Sequence, residues 1–202
     1  MWGLVESGSI TKIINNPRAM VINNVRHSKN IFELWSKAEL EAIGIYEVEF
    51  DNSNKKDEKW YINTNQSFAI AGGKITASYG SATAKAHADT LWTSQDKTDG
   101  KIPAGKDVGD VATRGLKYNL IQTIKKQAAG ILQDTDWYIV RKADAGTAVP
   151  SAITTHRAAV RTKAAEQETA ITNAADTPAL ETLYTRNENG VRPLGELPTL
   201  ES

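Results

Sequence analysis

The order of apolar and polar residues predicts one well-bounded helix in the first part of the chain. Ser36 and Glu39 have the spacing of a capping box, in which each side chain hydrogen-bonds the backbone amide of the other residue. Gly44 ends the run, and glycine readily adopts the left-handed conformation that closes many helices. These signals predict a helix over residues 36–43.

Apolar and polar residues alternate around this helix, which is typical of strands with one buried face. Two glycines at 72 and 73 separate two such runs and favour a hairpin. The predicted strands are Ile10–Ile14, Met20–Val25, Ile45–Phe50, Trp60–Ile62, Phe68–Ile70 and Ile75–Tyr79. We therefore expect residues 1–80 to form a small antiparallel β domain that contains the capped helix.

Residues 81–107 are poor in large apolar side chains and rich in Ala, Thr, Lys, Asp and Gly. Part of this segment, from Ala82 to Trp92, has a helical composition, and the glycines and proline that follow are helix breakers. We interpret 81–107 as a connector.

From Val108 onward, apolar residues recur at steps of three and four, which predicts a long amphipathic helix. An extended stretch, Trp137–Val140, follows it, and a second, alanine-rich helix is predicted from Ser151 to Ala174. The apolar stripe of the second helix is thin, so we expect this helix to need a packing partner, which is either the first long helix or another subunit.

A short third helix is expected after Asp176, with Thr177 as its cap and Pro178 in its first turn. Residues 108–186 are thus predicted to form a helical hairpin with a short third helix, and 187–202 an extended tail. The fold class that follows is α+β, with a β domain first and helices after it.

Overall charge does not favour nucleic acid or an anionic membrane as a partner. The 202 residues carry 24 Lys and Arg against 24 Asp and Glu, so the formal net charge is zero. Locally the balance shifts: residues 33–58 hold eight acids and three bases, 101–126 six bases and two acids, and 164–202 seven acids and two bases. Such segments fit docking onto protein neighbours, and they fit solvated faces at least as well.

Targeting signals and thiol chemistry are not expected. The first ten residues lack the basic and apolar stretches of a secretory signal, and no apolar run approaches membrane-spanning length. The absence of cysteine excludes disulfides and thiolate metal sites. We expect a soluble protein that is made where it works.

Motifs for catalysis or cofactor binding are also weak. His27, His87 and His156 are isolated from one another, and neither a phosphate-binding loop nor a G-x-S-x-G nucleophile motif occurs. Asp134 and Asp136 are the one candidate carboxylate pair, of the kind that hydrolyses glycosidic bonds. We expect no cofactor and no metal, and we expect that the protein is not an enzyme.

Basic residues between Lys101 and Lys126 raise the alternative of a nucleic-acid site. Aromatic residues within this segment are limited to Tyr118, and the domain is not strongly basic. A solvated helix face is the favoured interpretation.

The junction between the two long predicted helices holds the strongest candidate for an interaction site. The indole of Trp137 is placed to cover the junction, next to Tyr138 and Arg141. Arg157 and Arg161 lie one helical turn apart, so they are placed to pair with an acid of the junction or of a neighbouring subunit. The acids of the junction are Asp134 and Asp136. This grouping predicts a clasp between the helices, with or without a partner.

The same region resembles a known family. Residues 131–142 and 149–161 are similar to the C-terminal segment of phage tail-fibre and tail-assembly proteins, in which a helix ending in leucine is followed by TDW, a small loop ending in proline and a helix beginning YRxxLR or YRxxVR. His156 stands where that family has an aromatic residue. The helix from Asp176 to Tyr184 also resembles the family.

Two segments of the first half, 14–19 and 34–46, resemble predicted proteins of marine tailed phages. Together the resemblances cover about two thirds of the chain. They imply a structural tail protein (a tail fibre, adaptor or baseplate-associated protein) that acts by protein–protein contact. The implied partners are other tail proteins and further copies of the chain, without nucleic acid or membrane. The implied location is the virion tail, after synthesis in the host cytoplasm.

Two alternatives remain open. A tail-assembly chaperone would bind fibre subunits or the tape-measure protein and then be absent from the mature virion. A glycan-degrading tail enzyme would use Asp134 and Asp136.

Overall fold

The computed structural model describes residues 1–200, which divide into two compact units, Met1–Thr83 and the residues from Ala84 onward. Strands dominate the first unit and helices the second, so the predicted α+β class is confirmed. The strands of residues 1–200 are β1 Trp2–Glu6, β2 Ser9–Ile14, β3 Met20–Ile22, β4 Val25–His27, β5 Ile45–Asp51, β6 Tyr61–Ile62, β7 Gln66–Ala71, β8 Lys74–Tyr79, β9 Thr83–Ala84, β10 Thr90–Leu91 and β11 Val111–Thr113. The helices are α1 Ile31–Leu34, α2 Lys37–Ala42, α3 Ser94–Thr98, α4 Leu116–Gln133, α5 Asp136–Ala145, α6 Ser151–Asn173 and α7 Thr177–Tyr184.

The main sheet of the first unit has five strands in the order β2-β1-β5-β8-β7. The predicted hairpin forms between β7 and β8, and β1 pairs antiparallel with both β2 and β5. The prediction of a wholly antiparallel sheet is wrong at one place, because β8 runs parallel to β5. The chain crosses from β5 to the far edge before the β7–β8 hairpin begins, so the second strand of that hairpin returns in the direction of β5.

The capped helix is confirmed in detail. Ser36 accepts a hydrogen bond from the Glu39 amide, and the Glu39 carboxylate accepts one from the Ser36 amide at 2.7 Å. Gly44 has a φ of +85°, as the predicted left-handed stop requires. The predicted strand Met20–Val25 is instead a tight hairpin of β3 and β4, because Asn23 and Asn24 both adopt positive φ at its turn.

Large aliphatic side chains form the interior of the first unit. One cluster contains Leu4, Ile14, Ile22, Ile31, Leu40 and Ile45, and the other contains Val48, Ile75 and Ala77. Strands β1 and β5 contribute to both clusters: Leu4 and Ile45 belong to the first, whereas Val5 and Val48 pack in the second. Ile45 and Val48 are an odd number of residues apart, so they lie on opposite faces of the sheet.

The second unit is built on α4 and α6, which pack as the two arms of the predicted helical hairpin. Lys117 reaches the Thr172 carbonyl near one end of the pair, and Arg157 reaches the Leu132 carbonyl near the other, so the arms are antiparallel. The first arm begins at Leu116 and not at Val108, because Val111–Thr113 forms β11 and pairs with β10. The predicted helix between Ala82 and Trp92 is wrong, because β9 and β10 occupy that segment.

Residues of the predicted connector bind the start of α4. The amides of Gly115, Leu116 and Lys117 donate to the Asp89 carboxylate, the Ala86 carbonyl and the His87 carbonyl, respectively. These amides would otherwise lack partners, because the first turn of a helix has none within the helix. A Cβ atom at Gly115 would collide with the Ala88 carbonyl, which explains the glycine.

The end of the second unit is held by side-chain contacts. Asp176, and not the predicted Thr177, caps α7 by accepting from the Ala179 amide at 2.8 Å. The Thr177 hydroxyl instead donates to the Lys85 carbonyl at 2.6 Å. The predicted tail, 187–202, has no helix or strand as far as residue 200, and Leu194 within it is buried; Glu201 and Ser202 lie outside the described residues. Among the helices of residues 1–200, none combines the length and apolar character needed to cross a membrane.

Candidate functional site

The candidate site lies where α4 ends, α5 begins and α6 passes beside both. Its centre is the Arg157 side chain on α6, which is only 8% exposed. One guanidinium nitrogen, Nη1, donates to the Leu132 carbonyl and to the Thr135 hydroxyl, each at 2.7 Å. The other nitrogen, Nη2, lies 2.8 Å from the Asp136 carboxylate. We call Leu132, Thr135, Asp136 and Arg157 the clasp.

The clasp satisfies groups that helix geometry leaves open. Leu132 is in the last turn of α4, where carbonyls lack partners within the helix and favour a nearby cation. Asp136 is the first residue of α5, where the helix dipole favours a negative charge. One arginine therefore stabilises the end of one helix and the charge at the start of the next.

The two ends of the Arg157–Asp136 ion pair differ in exposure. The Asp136 side chain is 56% exposed, so water screens its attraction to Arg157 and the pair itself contributes only about 0.2–1 kcal/mol. The hydrogen bonds to Leu132 and Thr135 are shielded, and Thr135 is buried. Hydrogen bonds from a charged donor contribute about 1.5–3 kcal/mol, so they carry most of the stabilisation of the clasp.

Helix α5 presents an apolar and aromatic surface beside the clasp. Trp137, Ile139 and Val140 are 51%, 44% and 65% exposed, and none of the ten residues of α5 is buried. The prediction of an extended stretch at Trp137–Val140 is wrong, since Asp136 starts a helix there and Gly146 ends it by donating to the Lys142 carbonyl. We call Trp137, Tyr138, Ile139, Val140 and Arg141 the α5 surface.

Three side chains of the α5 surface are stacked on one another. The rings of Trp137 and Tyr138 have centroids 3.8 Å apart, and the Arg141 guanidinium carbon lies 4.6 Å from the centroid of the indole and 5.3 Å from that of the phenol. Arginine over an aromatic face is attracted by the ring quadrupole. The stack fixes the orientation of a large half-exposed indole, so Trp137 is presented to solvent in a defined position.

Two predicted site residues stay outside the clasp. Arg161 makes one long contact, 3.5 Å, to the Arg157 carbonyl and forms no ion pair with any residue of the described chain. Asp134 caps the end of α4 and lines a cavity of about 460 Å³ together with Gln167 and Arg192. The carboxylates of Asp134 and Asp136 thus have different neighbours, and the clasp engages only the second.

Thr135 and Gln167 are the site residues that the sequence did not single out. Thr135 lies between two aspartates just past the predicted end of the first long helix, and only its place in the TDW segment marked it. Its burial depends on contact with Arg157, which is distant in sequence. Gln167 is 2% exposed and donates from Nε2 to the carbonyls of Leu194 and Gly195 at 3.4 and 3.0 Å. Its position in the stripe Ile153, Val160, Ala164, Ile171 was the available signal, because position 167 continues that spacing.

Residues 1–200 contain no group of three or more His, Cys, Asp or Glu side chains that is arranged to bind a metal ion. The site consists of a buried guanidinium that holds the start of a short helix and an exposed aromatic surface on that helix.

Comparisons with known proteins identify no family for this chain. No protein-family model, no curated protein and no solved structure matches it.

Proposed function

We propose that the chain is a structural component of a bacteriophage tail (a tail fibre, adaptor or baseplate-associated protein) that works through protein–protein contacts. The tail assignment rests on the resemblance of residues 131–142 and 149–161 to tail-fibre and tail-assembly proteins. Support for contact as its mode of action comes from α5, whose ten residues include none that is buried.

An isolated helix of this length is marginal in water, because helices shorter than about 12–15 residues do not offset the cost of nucleation. The clasp holds the start of α5. The other side chains of α5 bury little surface against the rest of the second unit, so they stabilise the helix little. Docking of the α5 surface onto another protein would bury Trp137 and Val140, which lie on one face of the helix, and stabilise the helix at the same time.

The composition of the α5 surface supports this role. Tryptophan, tyrosine and arginine are the residues most enriched among those that dominate binding energy at protein interfaces. Trp137, Tyr138 and Arg141 supply one of each in a single stack, and Val140 adds an aliphatic neighbour. The proposed partners are other tail proteins and further copies of this chain.

A tail-assembly chaperone is the second candidate, and the same exposed surface favours it. A chaperone must expose its contact residues when it is free, as α5 does. The two roles differ in whether the partner keeps the chain after assembly.

Mass spectrometry of purified phage particles separates the two roles. Particles assembled with the wild-type chain are expected to contain it, whereas the double variant Trp137→Ser/Val140→Ser is expected to be lost from them. Substitutions at residues that dominate an interface cost about 2 kcal/mol or more, which weakens binding about thirtyfold. Lys142→Ser is the matched control, because Lys142 is exposed on the same helix outside the α5 surface.

Absence of the wild-type chain from particles, with capture of a tail protein by the same chain in lysate, would establish the chaperone role. Absence from particles without any such capture would overturn both. Equal incorporation of the double variant and of wild type would remove the α5 surface from the proposal.

A further inference from the structure

The first unit contains a cleft of about 780 Å³ that the proposed function does not use. Its volume lies within the range of about 300–1,000 Å³ that is typical of binding sites for defined ligands. Two short strands, β2 and β3, and the segment that joins them form most of its wall. Strand β1 adds Leu4 and Glu6 to the lining.

The main chain beside the cleft is a free strand edge. β2 is the terminal strand of the five-stranded sheet, and within residues 1–200 its ladder partner is β1 alone. Ile10, in the first half of β2, packs against the cluster of Val48, Ile75 and Ala77, whereas Lys12, Ile13 and Ile14 of the second half line the cleft. An open edge presents backbone N–H and C=O groups at the spacing of another strand.

Side chains around the cleft divide into an apolar floor and a polar rim. Leu4 and Ile14 of the floor are buried, and Met20 is half-buried beside them. The rim consists of Glu6, Lys12, Asn15, Asn16 and Arg18, none of whose side chains forms a hydrogen bond or ion pair with the rest of the described chain.

The chemistry of the rim matches a polypeptide of negative charge. The carboxamides of Asn15 and Asn16 each offer both donors and an acceptor, which is the complement of a peptide bond. Lys12 and Arg18 outnumber Glu6, so the rim favours acidic side chains. In an extended segment that alternates apolar and acidic residues, the apolar side chains would face the floor and the acidic side chains would face the rim.

We infer that this cleft binds an extended segment of a partner protein, rich in acidic residues, which adds as a strand to the edge of β2. The site lies in the first unit, so it does not depend on the α5 surface of the second. The inference assigns the first unit a binding role of its own.

A direct test titrates the full-length chain with a six-residue peptide that alternates glutamate and valine. Fluorescence anisotropy of the labelled peptide gives the affinity, and backbone-amide NMR shifts locate the site. The amides of residues 11–21 are expected to shift. A peptide in which lysine replaces glutamate is expected to bind at least about tenfold more weakly, because its charge opposes that of the rim.

Variants and a modified peptide separate charge from strand addition. Lys12→Ala and Arg18→Ala are each expected to weaken binding about threefold, as loss of an exposed ion pair does, and about tenfold together. Lys56→Ala, an exposed residue that does not line the cleft, is expected to leave binding unchanged. Methylation of alternate peptide nitrogens is expected to weaken binding at least about tenfold, because the main-chain donors are removed.

Three results would overturn the inference. The first is an absence of shifts in residues 11–21 at millimolar glutamate–valine peptide. The second is equal binding of the lysine–valine or the N-methylated peptide. The third is displacement of the peptide by inorganic phosphate with the same NMR shifts. That result would show that the cleft binds simple anions and not a peptide strand.

Discussion

The two units are stabilised in different ways. In the first, the interior is mainly aliphatic, and Leu40, Ile45 and Ile75 within it are at most 1% exposed. In the second, the helices are rich in alanine, and all five buried polar or charged residues that residues 1–200 contain lie there. These residues are Thr135, His156, Arg157, Gln167 and Thr177.

The difference shows how a helix that buries little apolar area is held in place. Burial stabilises in proportion to area, at about 25 cal/mol per Å², and alanine offers little of it. Directional hydrogen bonds from Arg157, Gln167 and Thr177 therefore fix which segments meet. These bonds add to an apolar interior that includes Ile124, Val160, Ile171 and Leu180, and helix α5 lies outside that interior with no buried residue.

The largest effect is expected from truncation in the first unit. Ile45→Ala should lower the free energy of unfolding of that unit by about 2–5 kcal/mol, because a fully buried isoleucine is lost and a cavity remains. Hydrogen-exchange mass spectrometry during urea unfolding measures the two units separately. Val21→Ala, at a side chain that is 62% exposed, is the control and should change little. A loss below 1 kcal/mol for Ile45→Ala would contradict an aliphatic core as the main source of stability.

Removal of the central guanidinium should have the next largest effect. Arg157→Met keeps the aliphatic stem but removes the charged hydrogen bonds to Leu132 and Thr135, at a cost of about 1.5–3 kcal/mol. Exchange protection should fall first at residues 132–145. Arg161→Met is the matched control on the next turn of α6 and should cost less than about 0.5 kcal/mol. Equal effects of the two variants would show that the clasp does not stabilise the junction.

A smaller effect is expected from the exposed end of the same ion pair. Asp136→Asn should cost about 0.2–1 kcal/mol, because water already screens a carboxylate that is 56% exposed. Urea unfolding at low and at high salt measures the difference, which should shrink as salt rises. A cost equal to that of Arg157→Met would mean that the ion pair, and not the shielded hydrogen bonds, holds the clasp.

The smallest and most local effect is a dependence on pH at the start of α4. The Gly115 amide and the Arg114 guanidinium hold the pKa of the Asp89 carboxyl below its ordinary value. Because the folded pKa is lowered, the contribution of Asp89 is complete above a pH of about 4 and disappears as the pH falls through the folded value. Exchange protection of residues 115–117, corrected for intrinsic rates, should therefore fall only in acid. Asp89→Asn should abolish this dependence, and its persistence in that variant would assign it to another group.

Local signals made parts of the fold predictable. The capping box of Ser36 and Glu39 and the hairpin around Gly72 depend on residues that are close together in sequence, so the local sequence pattern predicts them. The α+β division follows from the change of apolar period between the two halves. Arg157 was singled out because it lies one helical turn from Arg161, where both are placed to pair with an acid of the junction.

Features that depend on distant partners were not predictable. The parallel pairing of β5 with β8 and the pairing of β10 with β11 follow from tertiary contacts that leave no local pattern. Trp137, Tyr138, Ile139 and Val140 favour strands by intrinsic preference. The pairing of Asp136 with Arg157 and the stop at Gly146 override that preference. The sequence offered both residues, but the choice of helix over strand depends on the position of Arg157 beside Asp136.

The central claim is that the α5 surface is covered by another protein when the chain performs its function. Hydroxyl-radical footprinting of Trp137, in the free chain and in purified phage particles, tests it most directly. Oxidation of Trp137 is expected to fall severalfold in the particle, while Trp2 of the first unit serves as the internal reference. Detection of the chain in particles with Trp137 oxidised as fast as in the free chain would contradict the claim.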